Sequence, residues 1–331
     1  MNIEKICVYG AGSVGGFLAG ELAKRGHTVS VIARGAHLAA IREKGLTVKT
    51  PDETYTVKPF ATDNPAEVGK QDLVITVAKA HSLPAMAEGI RTLLGPETPV
   101  CFAQNGIPWW YFYGLEGPHK DRKLETLDPG GKLWDLVGPD RAVGTTINSP
   151  NEVIAPGVVH NKAKDISTFV VGEPKRSDTA RVEAIAEAMR TPRVNVEVTT
   201  DIRTGVWNKL LVNLSTWAIA ALTHAPSCDN MSNPELREVA SRMMREGLAV
   251  ARSFGLEPEC DVDATMEKFG SSTPHKPSLL QDFEAGKPVE IDTVLKITRE
   301  FGKLNGVPTP TMDILVPLVE QKARSLGLYG K

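Results

Sequence analysis

The feature that most constrains this chain is Gly10-Ala11-Gly12-Ser13-Val14-Gly15, set between an apolar run, Ile6-Cys7-Val8-Tyr9, and a stretch from Val14 to Arg25 with helical spacing that Gly26 ends. A second apolar run, Thr28-Val29-Ser30-Val31-Ile32, follows at once. Strand, glycine turn, helix, strand is a βαβ unit. In such a unit the three glycines serve a tight turn, the close approach of backbone to a pyrophosphate, and close helix-to-strand packing. The helix N-terminus then offers N–H groups to the phosphates. With 29 glycines in the chain the spacing alone would be weak, but its place between strand and helix marks a Rossmann-type opening. Gly10, Ala11, Gly12, Ser13, Val14 and Gly15 are therefore the candidate dinucleotide-binding residues.

The second strand ends Ile32-Ala33-Arg34, where an NAD or FAD site usually carries Asp or Glu for the ribose hydroxyls. Arg34 can instead form charge-assisted hydrogen bonds to a 2′-phosphate, which favours NADPH/NADP+. The alternative is a solvated surface arginine.

Later apolar runs, Leu73 to Val77 and Val100 to Phe102, alternate with helical segments, which predicts a parallel sheet. Extended pieces follow at Val143 to Ile147, Val158 to His160 and Phe169 to Val171, then a helix from about Asp178 to Arg190 and a strand at Val194 to Val198. From Asp201 strand signals stop, and helices are predicted over Ile202 to Leu222, Pro234 to Phe254, Val289 to Leu304 and Met312 to Ser325. Gly270 to Pro274 reads as a loop. The expected fold is α/β, an N-terminal Rossmann-type doubly wound sheet over residues 1–200 followed by an all-helical C-terminal domain over 201–331, with ligand chemistry expected in a cleft between them.

A formal charge of -2 supplies no general pull on nucleic acid or anionic lipid. The four cysteines lie far apart and the seven histidines lack ligand spacing, which argues against a disulfide framework or a metal site. Leu210 to Cys228 lacks charge but carries Asn213, Ser215, Thr216, Thr223, His224 and Pro226, which suits a buried helix better than a membrane span. Ile6 to Gly20 resembles a signal-peptide core only superficially, because its glycines are regularly placed. The chain is expected to be cytoplasmic, without nucleic-acid or membrane partners, and is compatible with a homodimer.

Val206 to Leu214 is apolar on most sides of a helix, so Lys209 inside it needs an explanation. Lys209, Asn213 and Trp217 share one helical face. Desolvation would lower the lysine pKa toward working pH and suit it to general-acid work. A lysine snorkelling at a domain edge is the other reading.

Lys276-Pro277-Ser278-Leu279-Leu280-Gln281-Asp282, followed by Gly286-Lys287-Pro288-Val289-Glu290-Ile291-Asp292, resembles paired motifs of the ketopantoate reductase family. The glycine loop, Val77-Ala78-Lys79-Ala80, Gln104-Asn105-Gly106 and Trp207 to Asn213 occur in that family's order, so the resemblance spans nearly the whole chain. It implies NADPH-dependent reduction of a 2-oxo acid, 2-dehydropantoate to (R)-pantoate in pantothenate and coenzyme A synthesis. Lys209 would protonate the ketone oxygen, and Glu290 would contact the substrate and support catalysis. Asn213 and Ser278 match substrate-holding residues, while Lys79 and Asn105 match residues on the nicotinamide side. Read without the resemblance, Glu290 is a helix-dipole partner, Asn213 a helix polar residue, Ser278 an N-cap, Lys79 a helix-start lysine and Asn105 a turn residue.

Two positions depart from the family. Trp217 stands where a second asparagine is common, and Leu295-Lys296 where Asn-Gly commonly follows the Glu-Ile-Asp motif. Trp217, counted among the substrate-binding candidates, would bring apolar bulk and a single N–H to the pocket. A relative acting on another 2-oxo acid or ketone is thus an alternative, and a non-catalytic NADP(H)-binding regulator is a third reading that Lys209 and Glu290 disfavour. The consecutive aromatics Trp109 to Tyr113, in a turn-rich insertion running to about Pro139, fit a lid, an oligomer contact or a buried anchor equally.

Overall fold

The computed structural model describes residues 2–175 and 179–330. By contact density the chain divides into two compact units, Met1–Gln104 with Pro108–Ile202, and Asn105–Ile107 with Arg203–Lys331.

In the first unit β1 (Lys5–Tyr9), α1 (Ser13–Arg25) and β2 (Thr28–Ile32) form the opening βαβ, and α2 (Gly35–Lys44) follows. Next come β3 (Leu46–Lys49), β4 (Thr54–Val57), β5 (Phe60–Thr62), β6 (Leu73–Thr76), α3 (Leu83–Leu93), β7 (Val100–Ala103) and the short α4 (Lys132–Leu136). β8 (Ala142–Asn148), β9 (Asn151–Ala155), β10 (Val158–Asn161), β11 (Ser167–Gly172), α5 (Ala180–Met189) and β12 (Val194–Val198) complete it. The predicted helix start at Asp178 falls outside the described residues.

Eight strands pair in the order β12-β11-β8-β7-β6-β1-β2-β5. The central strands are apolar on both faces: β6 and β7 are buried at every position, as strands covered on both sides must be. The early strands pair parallel as expected, from β5 through β2, β1, β6 and β7 to β8, whereas β11 lies antiparallel to β8 and carries the parallel β12 with it. No helix separates β8 from β11, only the β9–β10 excursion, and a chain returning without a crossover helix reaches the sheet edge antiparallel.

That excursion belongs to a second sheet, β4-β3-β10-β9. It packs against α1 along Gly16 and Gly20. A Cβ on Gly16 would sit 2.7 Å from Val159, and one on Gly20 would overlap Val48. One turn apart on one helix face, the two glycines let the sheet approach the helix backbone.

Trp109, Trp110, Tyr111 and Phe112 are each 1% exposed or less. Trp109 stands edge-on to Phe102 at 5.3 Å and to Trp134 at 6.2 Å, and the ring of Trp110 covers Gly144 of β8. Of the three roles open to this run, the structure has the buried anchor.

The second unit is helical: α6 (Ile202–Thr223), α7 (Ser227–Ser232), α8 (Pro234–Ser253), α9 (Val262–Gly270), α10 (Ser278–Glu284), α11 (Ile297–Leu304) and α12 (Pro310–Ser325). α6 and α8 meet where Gly247 lies under Leu211 and Leu214, and Phe301 packs on Phe254 at 5.2 Å and on Trp207 at 6.4 Å. The predicted helix from Val289 begins later. Residues 287–291 have no regular structure, and a π-helical turn over Asp292–Lys296 leads into α11. Among the described residues no helix is long and apolar enough to cross a membrane.

Candidate active site

The first group of candidate residues is built from backbone. Gly10 has φ +104°, and a Cβ there would lie 2.9 Å from the Val77 carbonyl oxygen. Its N–H and that of Ala11 donate to the Ile32 carbonyl at 3.0 and 3.1 Å, which folds the loop onto the end of β2. A Cβ on Gly15 would overlap the Gly10 carbonyl, whereas one on Gly12 would meet nothing within 4 Å. The first and third glycines are thus required by the protein itself. Gly12 is exposed and faces open space, where a ligand can approach the backbone. Gly12 is the N-cap of α1 with no side-chain cap, and the first turn, beginning Ser13-Val14, carries no acidic residue. A helix end in that condition accepts an anion, so these residues fit a dinucleotide pyrophosphate.

Arg34 is exposed at the N-cap of α2, two residues beyond β2. Its charge acts on the hydroxyl of Tyr9, the residue before Gly10, so the cation stands close to the loop. His37, one turn on, accepts from the Gly157 N–H through Nδ1 at 3.0 Å. Burial pulls its imidazole pKa down, and the nearby Ala11 backbone opposes part of that fall. Sequence reading missed His37, which ties the start of α2 to the turn between β9 and β10; a histidine three residues past Arg34 carries no signal without the fold. Lys79 is half-buried after β6, at the N-cap of a 3₁₀ turn over Ala80–Ser82.

The second group is built from side chains. Lys209 and Asn213, one turn apart on α6, are both half-buried, while Trp217 is 2% exposed. Desolvation lowers the Lys209 pKa to about 8, and the charge of Glu290 opposes part of that fall. Glu290 is half-buried and lies two residues before the π-helical turn, so it is not the first-turn dipole partner that sequence reading offered. Asn105 belongs to the same compact unit as Lys209 and Glu290. Its neighbour Gly106 has φ +77° and lies so close to the Thr293 carbonyl that any Cβ would overlap it. The Ile107 N–H donates to that carbonyl at 2.8 Å. The Asn105 loop is thereby tied by backbone to the turn that follows Glu290.

A family model for ketopantoate reductase PanE/ApbA matches residues 6–109, and the model of its C-terminal part matches residues 201–323. The chain is 39% identical to a 2-dehydropantoate 2-reductase of Mesorhizobium japonicum, over 98% of this chain and 100% of that protein. The chain belongs to the ketopantoate reductase family. Among solved structures, a Ralstonia solanacearum MolK2 protein classed with the ketopantoate reductases superposes with TM-score 0.93 at 32% identity, over 99% of this chain and 100% of that one. The fold is shared more widely. A ternary structure of D-mandelate dehydrogenase with NADH and anilino(oxo)acetate superposes with TM-score 0.80 at 21% identity, over 98% and 100% of the two chains.

The ketopantoate reductase motifs also show what their other residues do here. In the Lys276–Asp282 stretch, Lys276 pairs with Glu284 at 2.7 Å and the Gln281 amide donates to the Lys276 carbonyl at 2.7 Å. Ser278 is exposed, and it is the first helical residue of α10 rather than its N-cap, a place taken by Pro277. Asn208 accepts from the Glu259 N–H at 2.9 Å, a structural bond that leaves Lys209 to account for the polar character of this buried stretch. Among the described residues no group of three His, Cys, Asp or Glu side chains could hold a metal ion.

Proposed function

We propose that this protein reduces 2-dehydropantoate to (R)-pantoate with NADPH, Lys209 acting as general acid. The observation that carries the reading is a partly buried lysine with its pKa drawn down to about 8, in electrostatic reach of Glu290. Residues 1–200 would hold the cofactor through Gly10, Ala11, Gly12, Ser13, Val14, Gly15 and Arg34, with Lys79 and Asn105 on the nicotinamide side. Residues 201–331 would supply Lys209, Glu290, Asn213 and Ser278, with Trp217 shaping the pocket. The cofactor supplies hydride from nicotinamide C4 to the ketone carbon. As negative charge grows on the ketone oxygen, the Lys209 ammonium gives that oxygen its proton, and the neutral amine recovers one from solvent. Such donation is worth ~10²- to 10⁴-fold in rate.

A pKa near 8 keeps Lys209 mostly protonated at neutral pH yet ready to release its proton. Glu290 counters desolvation and keeps the ammonium form populated. Because the acid must be protonated, kcat should fall as pH rises above about 8. The four cysteines are unbonded, in keeping with a cytoplasmic enzyme.

A second reading, reduction of a different 2-oxo acid, is favoured by Trp217, whose indole stands where the family commonly has an amide. NADPH oxidation followed at 340 nm with 2-dehydropantoate and a panel of other 2-oxo acids separates the two. Rapid turnover of 2-dehydropantoate supports the first. Negligible turnover beside a faster alternative replaces it with the second.

A further inference from the structure

Glu290 lies in a stretch, residues 287–291, that makes no helix or strand. The direction a carboxylate takes there depends in part on how the backbone on either side is held. On one side the Val289 N–H donates to the Leu328 carbonyl at 3.2 Å. On the other, the Asp292 carboxylate accepts from the Tyr329 hydroxyl and pairs with the Lys296 ammonium at 3.4 Å. Lys296 in turn reaches the Tyr329 oxygen at 3.5 Å. Leu328 and Tyr329 are adjacent, so one short segment after α12 grips both flanks of Glu290.

That segment is itself anchored. The Gly327 N–H donates to the Arg324 carbonyl and the Leu328 N–H to the Ala323 carbonyl, both at 2.9 Å. The Arg324 guanidinium stands 4.8 Å from the centre of the Tyr329 ring. Among the described residues Asp292, Lys296, Glu320 and Arg324 are the charged groups that face Tyr329.

We infer that Tyr329, acting through the Asp292–Lys296 pair, is a positioning residue for Glu290, and that the segment after α12 sets how the Glu290 carboxylate meets Lys209. The inference rests on the roles given above to Lys209 and Glu290. Phenylalanine at position 329 keeps the ring and its contact with Arg324 but removes the hydroxyl, so its effect isolates the hydrogen bond to Asp292.

The test is the pH dependence of kcat, with the oxo acid the enzyme turns over and saturating NADPH, for wild type, Tyr329→Phe, Lys296→Gly and Glu290→Gln, with melting temperatures alongside. Because Glu290 raises the Lys209 pKa, Glu290→Gln should move the alkaline limb to lower pH. Tyr329→Phe should move it the same way by part of that shift and lower kcat by up to ~10-fold, as slight misplacement of a catalytic group does. Its KM for NADPH and its melting temperature should stay near the wild-type values. Lys296→Gly should follow Tyr329→Phe. Wild-type limbs for Tyr329→Phe and Lys296→Gly beside a displaced Glu290→Gln limb would overturn the positioning role while leaving the site intact. A Glu290→Gln limb that stays in place would refute the coupling of Lys209 to Glu290, and the inference with it.

Discussion

The glycine loop of the first unit and the lysine-bearing helix of the second are opposite kinds of site. In the loop the glycines present backbone. Gly10 and Gly15 are held by contacts within the protein, and Gly12 faces open space. On α6 the proposed active element is one charged side chain placed where water is scarce, so its pKa falls to about 8. A backbone site is specified by the absence of Cβ atoms at set spacings. A side-chain site is specified by burial, which spacing conveys only indirectly. The first tolerates almost no change at its glycines for reasons of shape; the second tolerates changes of shape but not of charge.

The comparison breaks first at Lys209. Lys209→Ala should lower kcat by ~10²- to 10⁴-fold while leaving the dissociation constant for NADPH, measured by fluorescence titration, close to wild type. A variant as fast as wild type would leave α6 without a chemical role. The glycines sharpen the other side. Gly15→Ala forces a Cβ onto the Gly10 carbonyl and should lose both stability and NADPH affinity. Gly12→Ala has room in the free protein, so its melting temperature should hold while NADPH affinity falls, by about tenfold or more if the methyl displaces a single charge-assisted hydrogen bond. Parallel losses at both positions would mean that Gly12 serves the fold and not the ligand.

Arg34 comes next. Charge-assisted bonds of about 1.5 to 3 kcal/mol predict that Arg34→Ala raises the KM for NADPH ~10- to 150-fold and that for NADH little. Equal effects on the two cofactors would place Arg34 in the solvated-surface role.

Much of the first unit was legible because backbone requirements leave fixed marks. The glycine loop, the ends of β2 and β12, and the alternation of apolar runs with helical stretches all stand in the sequence. The second sheet was not legible, because its strands are short and its seat on α1 depends on Gly16 and Gly20, which read as incidental beside the better-known motif. The antiparallel β11 escaped because strand direction follows from what connects the strands, and residue pattern is silent about it. In the helical unit, Lys209 stood out as a charge in an apolar helix. Glu290 was found only through its motif, and its place before a π-helical turn, gripped by Tyr329, depends on contacts between positions 37 residues apart, beyond the reach of any local pattern.

The smallest effect separates two lysines of the helical unit. Burial also lowers the pKa of Lys322, yet its ammonium is spent on structure. It donates to the Ala221 and Leu222 carbonyls at 2.6 and 3.3 Å, at the C-terminal end of the helix that carries Lys209, and lies 5.9 Å from the centre of the Phe283 ring. A cation there answers both the unpaired carbonyls and the helix dipole. Lys322→Met keeps the aliphatic packing and removes the donor, so it should cost ~1 kcal/mol in chemical denaturation and leave kcat and its alkaline limb unchanged. Lys209→Met removes the proposed proton donor and should lower kcat by ~10²- to 10⁴-fold. If both variants lost stability and kept activity, a lowered lysine pKa would mark only helix packing in this unit, and the proton donor would have to be sought on another side chain.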